Sequence, residues 1–269
     1  MNDLCIELQK GSSANVKFEV SDTYNRELLL NIKHLFERNF KVMHKARNEI
    51  RVITYSGKKL VLKSFRIPSP VNRFAYSFIR DSKAKRSFDN ALVLKSLETN
   101  TPEPVGYIEF FSGKMIKESF YVSAYSESDF TIRTVLLDKE IENRDEILKE
   151  FAEFTHSLHA KNIYHKDYSP GNILVKKVNS GWKFEIVDIN RMRFGKISYK
   201  NRIKNFVKLW ADDDTMRTII REYASFSGDN PAKAERDALK WLHSYKARIN
   251  FKKRLKKLAK RKKDAPLNV

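Results

Sequence analysis

Between Tyr164 and Met192 the chain reads YHKDYSPGNILVKKVNSGWKFEIVDINRM. A His, an Asp and an Asn stand at H-x-D-x-x-x-x-N spacing (His165, Asp167, Asn172), and a short apolar run, FEIV, then ends in a second acid, Asp188. Ser169-Pro170-Gly171 forbids continuous helix or strand through the first motif, so Asp167 and Asn172 belong to a loop. NSGW is a turn signal, so the apolar runs on either side of it form a hairpin with Asp188 just past its second strand. Read blandly, His165 packs in a core while Asp167 and Asn172 close turns. Read chemically, two carboxylates and an amide are offered at the spacing that phosphoryl transfer uses, one acid to orient a hydroxyl and two oxygen ligands to hold metal ions.

The rest of the chain decides between these readings. Phosphoryl transfer from a nucleotide also needs a cation against the phosphates, which kinases take from a strand of an N-terminal sheet. FKVMHKARNEIRVITYSGKKLVLKSFRI alternates apolar and polar residues on both sides of Tyr55-Ser56-Gly57, which predicts a hairpin with Lys63 near the end of its second strand. A helix follows over Ser82–Glu98 through Phe88, Ala91, Leu92 and Leu94–Leu97, then two strand-like runs, YIEFFS and ESFYVSAYS. NRDEILKEFAEFTHSLHAKNI predicts a long helix capped by Asn143, with Ile147, Leu148, Phe151, Phe154 and Leu158 as its buried stripe. From about Tyr199 the pattern is helical. Asp212, Asp213 and Asp214 sit at a helix start, where acids bind free N–H groups, and are read as caps rather than metal ligands.

Composition narrows the classes. With 269 residues and 41% apolar content the chain is globular, and no run approaches the length of a membrane span. Cys5 is the single cysteine, which excludes an internal disulfide and a cysteine-rich zinc site; MNDLCIELQK carries no export signal. Lys and Arg number 53 against 33 Asp and Glu, a net charge of +20. Such a field attracts nucleic acid, anionic lipid headgroups or phosphorylated sugars. The excess is concentrated in Lys246–Lys263, with eleven basic residues, no acid and Ile249, Phe251, Leu255 and Leu258 near one helical face. That segment is read either as a solvated terminal helix or as a basic amphipathic segment for an anionic surface.

LVLKSF, AYSFIRDSKAKRSFDNAL, TPEPVGYIE, HKDYSPGNIL and VDINRM, spread over Lys41–Met192, together resemble the lipopolysaccharide core (Kdo/heptose) kinases of the protein-kinase-like superfamily. The resemblance implies an α+β, two-lobed kinase fold: a small antiparallel sheet lobe with one helix over residues 1–126, and a mainly helical lobe over 127–269. It implies Mg-ATP as cofactor, Lys63 on the phosphates, Asp167 as base or hydroxyl-orienting group, Asn172 and Asp188 as Mg²⁺ ligands, and His165 as organiser of the loop. The acceptor it implies is a Kdo or heptose hydroxyl of the lipopolysaccharide core (Kdo-lipid A acceptor), anchored by lipid A and reached at the inner face of the cytoplasmic membrane; the basic surface and the Lys246–Lys263 segment fit such a partner.

Departures from the kinase pattern raise further expectations. No G-x-G-x-x-G precedes Lys63; HKARNEI stands there, with Arg47 and Asn48 as candidates to cover the phosphates. The post-strand motif is Asp188-Ile189-Asn190 rather than D-F-G. The helix after Lys63 offers Asp89 as the acid to pair with it, with Glu98 at the helix end a weaker choice. Lys166 replaces the usual arginine, and the segment after Asp188 is short and lacks A-P-E, which favours a small or glycan acceptor over a peptide. Arg73, Arg80, Lys83, Lys85 and Arg86 are candidates to grip acceptor phosphates. Two alternatives stay open: a RIO-like or aminoglycoside-phosphotransferase-like kinase with another acceptor, and a non-enzymatic polyanion-binding protein. Against nucleic-acid binding, the chain has no helix-turn-helix, zinc spacing or RNP-like strand.

Overall fold

The computed structural model of the chain describes residues 8–13, 15–21, 24, 26–38, 42–45, 48–65 and 69–264. These form two compact units, one running to Asp129 and taking in Glu185–Met192, the other formed by Phe130–Phe184 and the residues from Arg193 onward. The first unit opens with strands β1 (Leu8–Ser13) and β2 (Val16–Ser21), short helices α1 (Arg26–Leu30) and α2 (Ile32–Arg38), and strand β3 (Val42–Lys45). The hairpin around Gly57 follows as β4 (Asn48–Tyr55) and β5 (Lys58–Phe65). Helices α3 (Pro70–Phe78) and α4 (Lys83–Ser96) lead into a second hairpin, β6 (Pro104–Ser112) and β7 (Met115–Ala124).

All seven strands join one antiparallel sheet in the order β1-β2-β6-β7-β5-β4-β3. The two-residue β4–β5 turn places Ser56 and Gly57 both at positive φ (48° and 77°), the handedness that suits the twist of a tight hairpin. Period-two alternation then sorts β5 by face. Leu60 and Leu62 point into a core with Leu28, Leu29 and Ile32 of α1 and α2, and with Ile53, Ile108 and Val122. Phe65 points the other way, into a cluster with Ala84 and Phe88 of α4 and with Tyr107 and Tyr121. Lys63, two residues before Phe65 and paired across the sheet with Tyr121, therefore lies on the α4 face.

The unit departs from the expected sheet with one helix. Among the described residues four helices are present, and β1 and β2 widen the sheet. Leu28, Leu29, Ile32 and Phe36 repeat with helical spacing and are buried, which is what holds α1 and α2 on the sheet. Helix α4 begins one residue after Ser82, whose hydroxyl accepts from Lys85 N–H at 3.1 Å.

The second unit contains β8 (Phe130–Thr131), α5 (Ile132–Leu137), α6 (Arg144–Ala160), β9 (Ile163–His165), β10 (Ile173–Val178), most of β11 (Gly181–Ile186) and of β12 (Met192–Phe194), and α7 (Tyr199–Phe206), α8 (Asp213–Ser227) and α9 (Pro231–Asp264). Ile147, Leu148, Phe151 and Leu158 of α6 are buried, with Ala152, Thr155 and His159 on the same stripe. Asn143 does stand at the start of α6, but with a left-handed backbone and no side-chain cap bond, so the expected capping role is not the one it fills. Asp212 does cap α8, accepting from Thr215 N–H at 3.0 Å and Thr215 Oγ1 at 2.9 Å, while Asp213 pairs with His243. The β10–β11 turn is tied to α6: Glu150 accepts from Trp182 N–H at 2.8 Å and lies so close over Gly181 that a Cβ there would meet its Oε1 at 2.6 Å. None of the described helices is long and apolar enough to cross a membrane.

Phe88 is fully buried between α4 and the sheet. Replacing it with Ala removes a ring from a small cluster and is expected to cost about 3–5 kcal/mol, read as a lowered urea midpoint with an unchanged slope.

Candidate active site

Lys63 is only 8% exposed, and its ammonium forms an ion pair with Asp188 Oδ1, 125 residues further along the chain. An ammonium withdrawn from water is tolerable because the half-buried Asp188 carboxylate compensates it; removing the acid strands the lysine. Asp188 itself sits in the left-handed region (φ 55°, ψ 45°), which Asp enters more readily than most residues. That kink ends the extended run and starts one turn of 3₁₀ helix at Ile189–Arg191. Asn190 Nδ2 donates to Asp188 Oδ1 at 2.6 Å, so the carboxylate is held from two sides.

The segment bearing Asp188 is stitched into the first unit along its length. Ser126 Oγ bonds the Glu185 carboxylate, Ile186 N–H donates to Asn100 O at 3.1 Å, and Thr101 Oγ1 donates to Ile186 O at 2.9 Å. Asn90 Nδ2 of α4 then donates to Ile189 O at 2.7 Å. Asp89, the expected partner of Lys63, is instead bonded to Lys85 at 2.7 Å on its own helix. One residue along a helix is a rotation of about 100°, and the register of α4 brings Asn90 rather than Asp89 to the Asp188 turn. Asn48 opens β4 opposite Phe65, and its Oδ1 is buried without a hydrogen-bond partner among the described residues. Arg47 lies outside the described residues.

The basic residues expected to grip phosphates are largely engaged nearby. Arg73 Nε donates to Ile116 O, Arg86 Nε to Ser82 O, Lys85 pairs with Asp89, and the Arg80 guanidinium lies 4.3 Å from the Tyr76 ring centroid.

In the second unit β9 delivers His165 into the core, 1% exposed, with Nδ1 accepting from Asp167 N–H at 3.0 Å. That bond fixes the proton of a neutral ring on Nε2. The Asp167 carbonyl accepts twice, from Ser169 N–H at 2.7 Å and Asn172 Nδ2 at 2.9 Å. The backbone carrying the Asp167 carboxylate is thus pinned at both its N–H and its C=O. Asn172, its Nδ2 so engaged, keeps the amide oxygen as the end able to meet a cation. Tyr168 anchors the loop from below, buried against Phe151 with its hydroxyl 2.8 Å from Thr155 Oγ1.

Three residues that the sequence reading missed support this loop. Asn205 Nδ2 donates to His165 O at 3.0 Å, its Oδ1 lies 3.1 Å from His159 Nε2, and His159 Nδ1 lies 2.9 Å from the Tyr223 hydroxyl. With Asn205 Oδ1 able only to accept, His159 carries its proton on Nε2 and Tyr223 donates to Nδ1. Burial pushes the His159 pKa down to about 4. Polar residues at buried positions of α6, α7 and α8 were the available signal; which of them meet depends on tertiary packing.

The site geometry can now be set beside known proteins. Residues 128–224 match the lipopolysaccharide kinase (Kdo/WaaP) family. The family resemblance read from the sequence is to these kinases, and the match covers Asp167, Asn172 and Asp188. Among solved structures, WaaP in complex with acyl carrier protein has the same fold, with a TM-score of 0.56 and 15% identity over 84% of this chain and 97% of that one. The chain therefore has the fold of a lipopolysaccharide kinase, an α+β kinase-like architecture. No curated protein matches it in sequence.

The His159 arrangement has a measurable signature. An unfolded histidine takes a proton below about pH 6.5, whereas folded His159 refuses it until about pH 4. Stability contributed by the neutral ring is present above 6.5 and lost as pH falls through this window, by on the order of 3 kcal/mol in total. Urea midpoints measured from pH 7 to pH 4 are expected to fall less steeply for His159→Gln than for the unsubstituted chain.

Proposed function

We propose that the chain transfers the γ-phosphoryl group of Mg-ATP to a sugar hydroxyl, Kdo or heptose, of the lipopolysaccharide inner core. The observation that carries this reading is the ion pair of the buried Lys63 with Asp188 in a chain with the lipopolysaccharide kinase fold. Lys63 supplies the cation that phosphates need and Asp188 the carboxylate that a magnesium ion needs, each neutralising the other in the meantime.

The donor set fits Mg²⁺ by its chemistry. A carboxylate from Asp188 and an amide oxygen from Asn172 are hard oxygen ligands, and magnesium typically takes only one or two such groups from protein, completing its shell with phosphates and water. Bound Mg-ATP supplies the electrophilic phosphorus and charge neutralisation. The chain supplies positioning. With Mg-ATP bound, Lys63 would hold phosphate oxygens and Asp188 would hold the cation. Asp167 accepts the hydrogen bond of the acceptor hydroxyl and takes its proton as the oxygen attacks. Its pinned backbone keeps that carboxylate from wandering, and His165 maintains the pinning through Nδ1.

The acceptor reading rests on the family and on physical fit. Ten residues separate Asp188 from α7, too short a segment to carry an extended peptide-docking platform. The acceptor is anionic and lipid-anchored, and the chain carries +20. The distal part of α9 exposes Phe251, Leu255 and Leu258 among lysines and arginines, a composition suited to an anionic membrane surface. We place the protein on the inner face of the cytoplasmic membrane on these grounds.

ATP consumption with Mg²⁺, with and without Kdo-lipid A, tests the proposal. Turnover is expected to depend on acceptor and to drop by roughly 10²–10⁴ in Asp167→Ala, with nucleotide binding retained. Turnover without acceptor dependence, or with an aminoglycoside in its place, moves the chain to another kinase class. Binding of nucleic acid without any Mg-ATP requirement refutes the kinase reading. A second comparison addresses the lysine: Lys63→Met is expected to weaken ATP binding markedly, whereas Asp89→Asn leaves it within about twofold, because Asp89 serves Lys85.

A further inference from the structure

Helix α3 is built the wrong way round. A surface helix normally turns its apolar stripe to the core. In α3 the residues that meet the sheet are polar: Arg73 Nε donates to Ile116 O at 3.2 Å and Ser77 Oγ accepts from Ile116 N–H at 2.9 Å. The β5–β7 pairs among the described residues run to Phe65 and Ser119, and the N–H and C=O of Ile116 in β7 have partners in α3. Arg73 and Ser77 provide them. This leaves the large apolar side chains outside: Val71 is 81% exposed, Phe74 55%, Phe78 52% and Ile79 72%. Val71, Phe74 and Phe78 share one helical face, and the two rings lie 5.1 Å apart.

Single exposed apolar residues are ordinary, but a contiguous group of four with a charged rim marks a surface that meets something. The rim here is basic. Between Ser69 and Arg86 stand Arg73, Arg80, Lys83, Lys85 and Arg86 against one acid, Asp81, and α3 itself carries none. Exposures above one half mean that these side chains stand out from the surface instead of lining a groove. Protruding aromatic and aliphatic groups flanked by arginine match the head-group boundary of an anionic bilayer, which accepts rings and alkyl chains a few ångströms deep and binds the bases in its outer layer.

We propose that α3 is a membrane-insertion element that buries Val71, Phe74, Phe78 and Ile79 in the head-group region of an anionic lipid surface. It deepens the reading of a lipid-anchored acceptor, and differs in kind from the electrostatic contact assigned to α9.

The test is sedimentation of the full chain with vesicles of phosphatidylethanolamine and phosphatidylglycerol, without ATP or acceptor, at low and high salt. The double variant Phe74→Ser, Phe78→Ser is expected to partition roughly tenfold or more weakly at both salt concentrations. Lys252→Gln with Lys256→Gln is expected to weaken binding at low salt only. An unchanged thermal midpoint for the phenylalanine variant shows that folding is intact, since both rings are exposed. In a Cys5→Ser background, an environment-sensitive dye on Phe78→Cys is expected to shift to the blue on vesicles. Vesicle binding indifferent to the phenylalanines overturns the proposal. So does a double variant that keeps vesicle binding but loses an acidic acyl carrier protein, which assigns the face to a protein partner. Vesicle binding intact in a chain without kinase activity would sink the proposed reaction and leave the insertion element standing.

Discussion

The pairing of Lys63 with Asp188 is the interaction around which the candidate site is organised. It joins a central strand of the sheet to a segment 125 residues away, and gives a buried ammonium its counter-charge. Such a pair adds little net stability, because the attraction mostly offsets the desolvation of its members. Its structural value lies in what it requires of its surroundings. A carboxylate that serves a buried lysine must be held at a defined point, and hydrogen bonds with Asn100, Thr101, Ser126, Asn90 and Asn190 hold its segment there. The result is a charged device assembled by neutral groups, which do not compete with it electrostatically.

The second unit solves a related problem by different means. The backbone of Asp167 is held at both ends, with its N–H on His165 and its carbonyl shared by Ser169 and Asn172. Behind His165 the chain Asn205–His159–Tyr223 gives each buried polar atom a partner and fixes one imidazole tautomer. A network of that kind rigidifies what it touches, because every displacement breaks a bond in a medium that offers no replacement.

The sequence was most readable where chemistry is local. His165, Asp167 and Asn172 lie within eight residues, so their spacing survives whatever the tertiary structure does, and the turn residues around Gly171 announce their loop. The β4–β5 hairpin was readable because Ser56-Gly57 and period-two alternation say the same thing. The partner of Lys63 was not, since Asp89 and Asn90 are adjacent and only the docking of α4 decides which faces the turn. The helices α1 and α2 are too short for their apolar spacing to be separated from strand by pattern alone. Helix α3 escaped for a deeper reason: pattern reading assumes that apolar faces point inward, and here Arg73 and Ser77 bond the backbone of Ile116 while the large apolar side chains stay exposed.

Asp188 shows how narrowly one position can be defined. Its backbone favours a residue at ease with positive φ, above all Gly, Asn and Asp. Its neighbour Lys63 demands a negative charge, which admits Asp and Glu. Only one of the twenty amino acids belongs to both sets. Asparagine preserves the shape and forfeits the charge, and glutamate preserves the charge while straining the shape. Substitution at the position therefore trades ease of the turn against the charge that Lys63 needs.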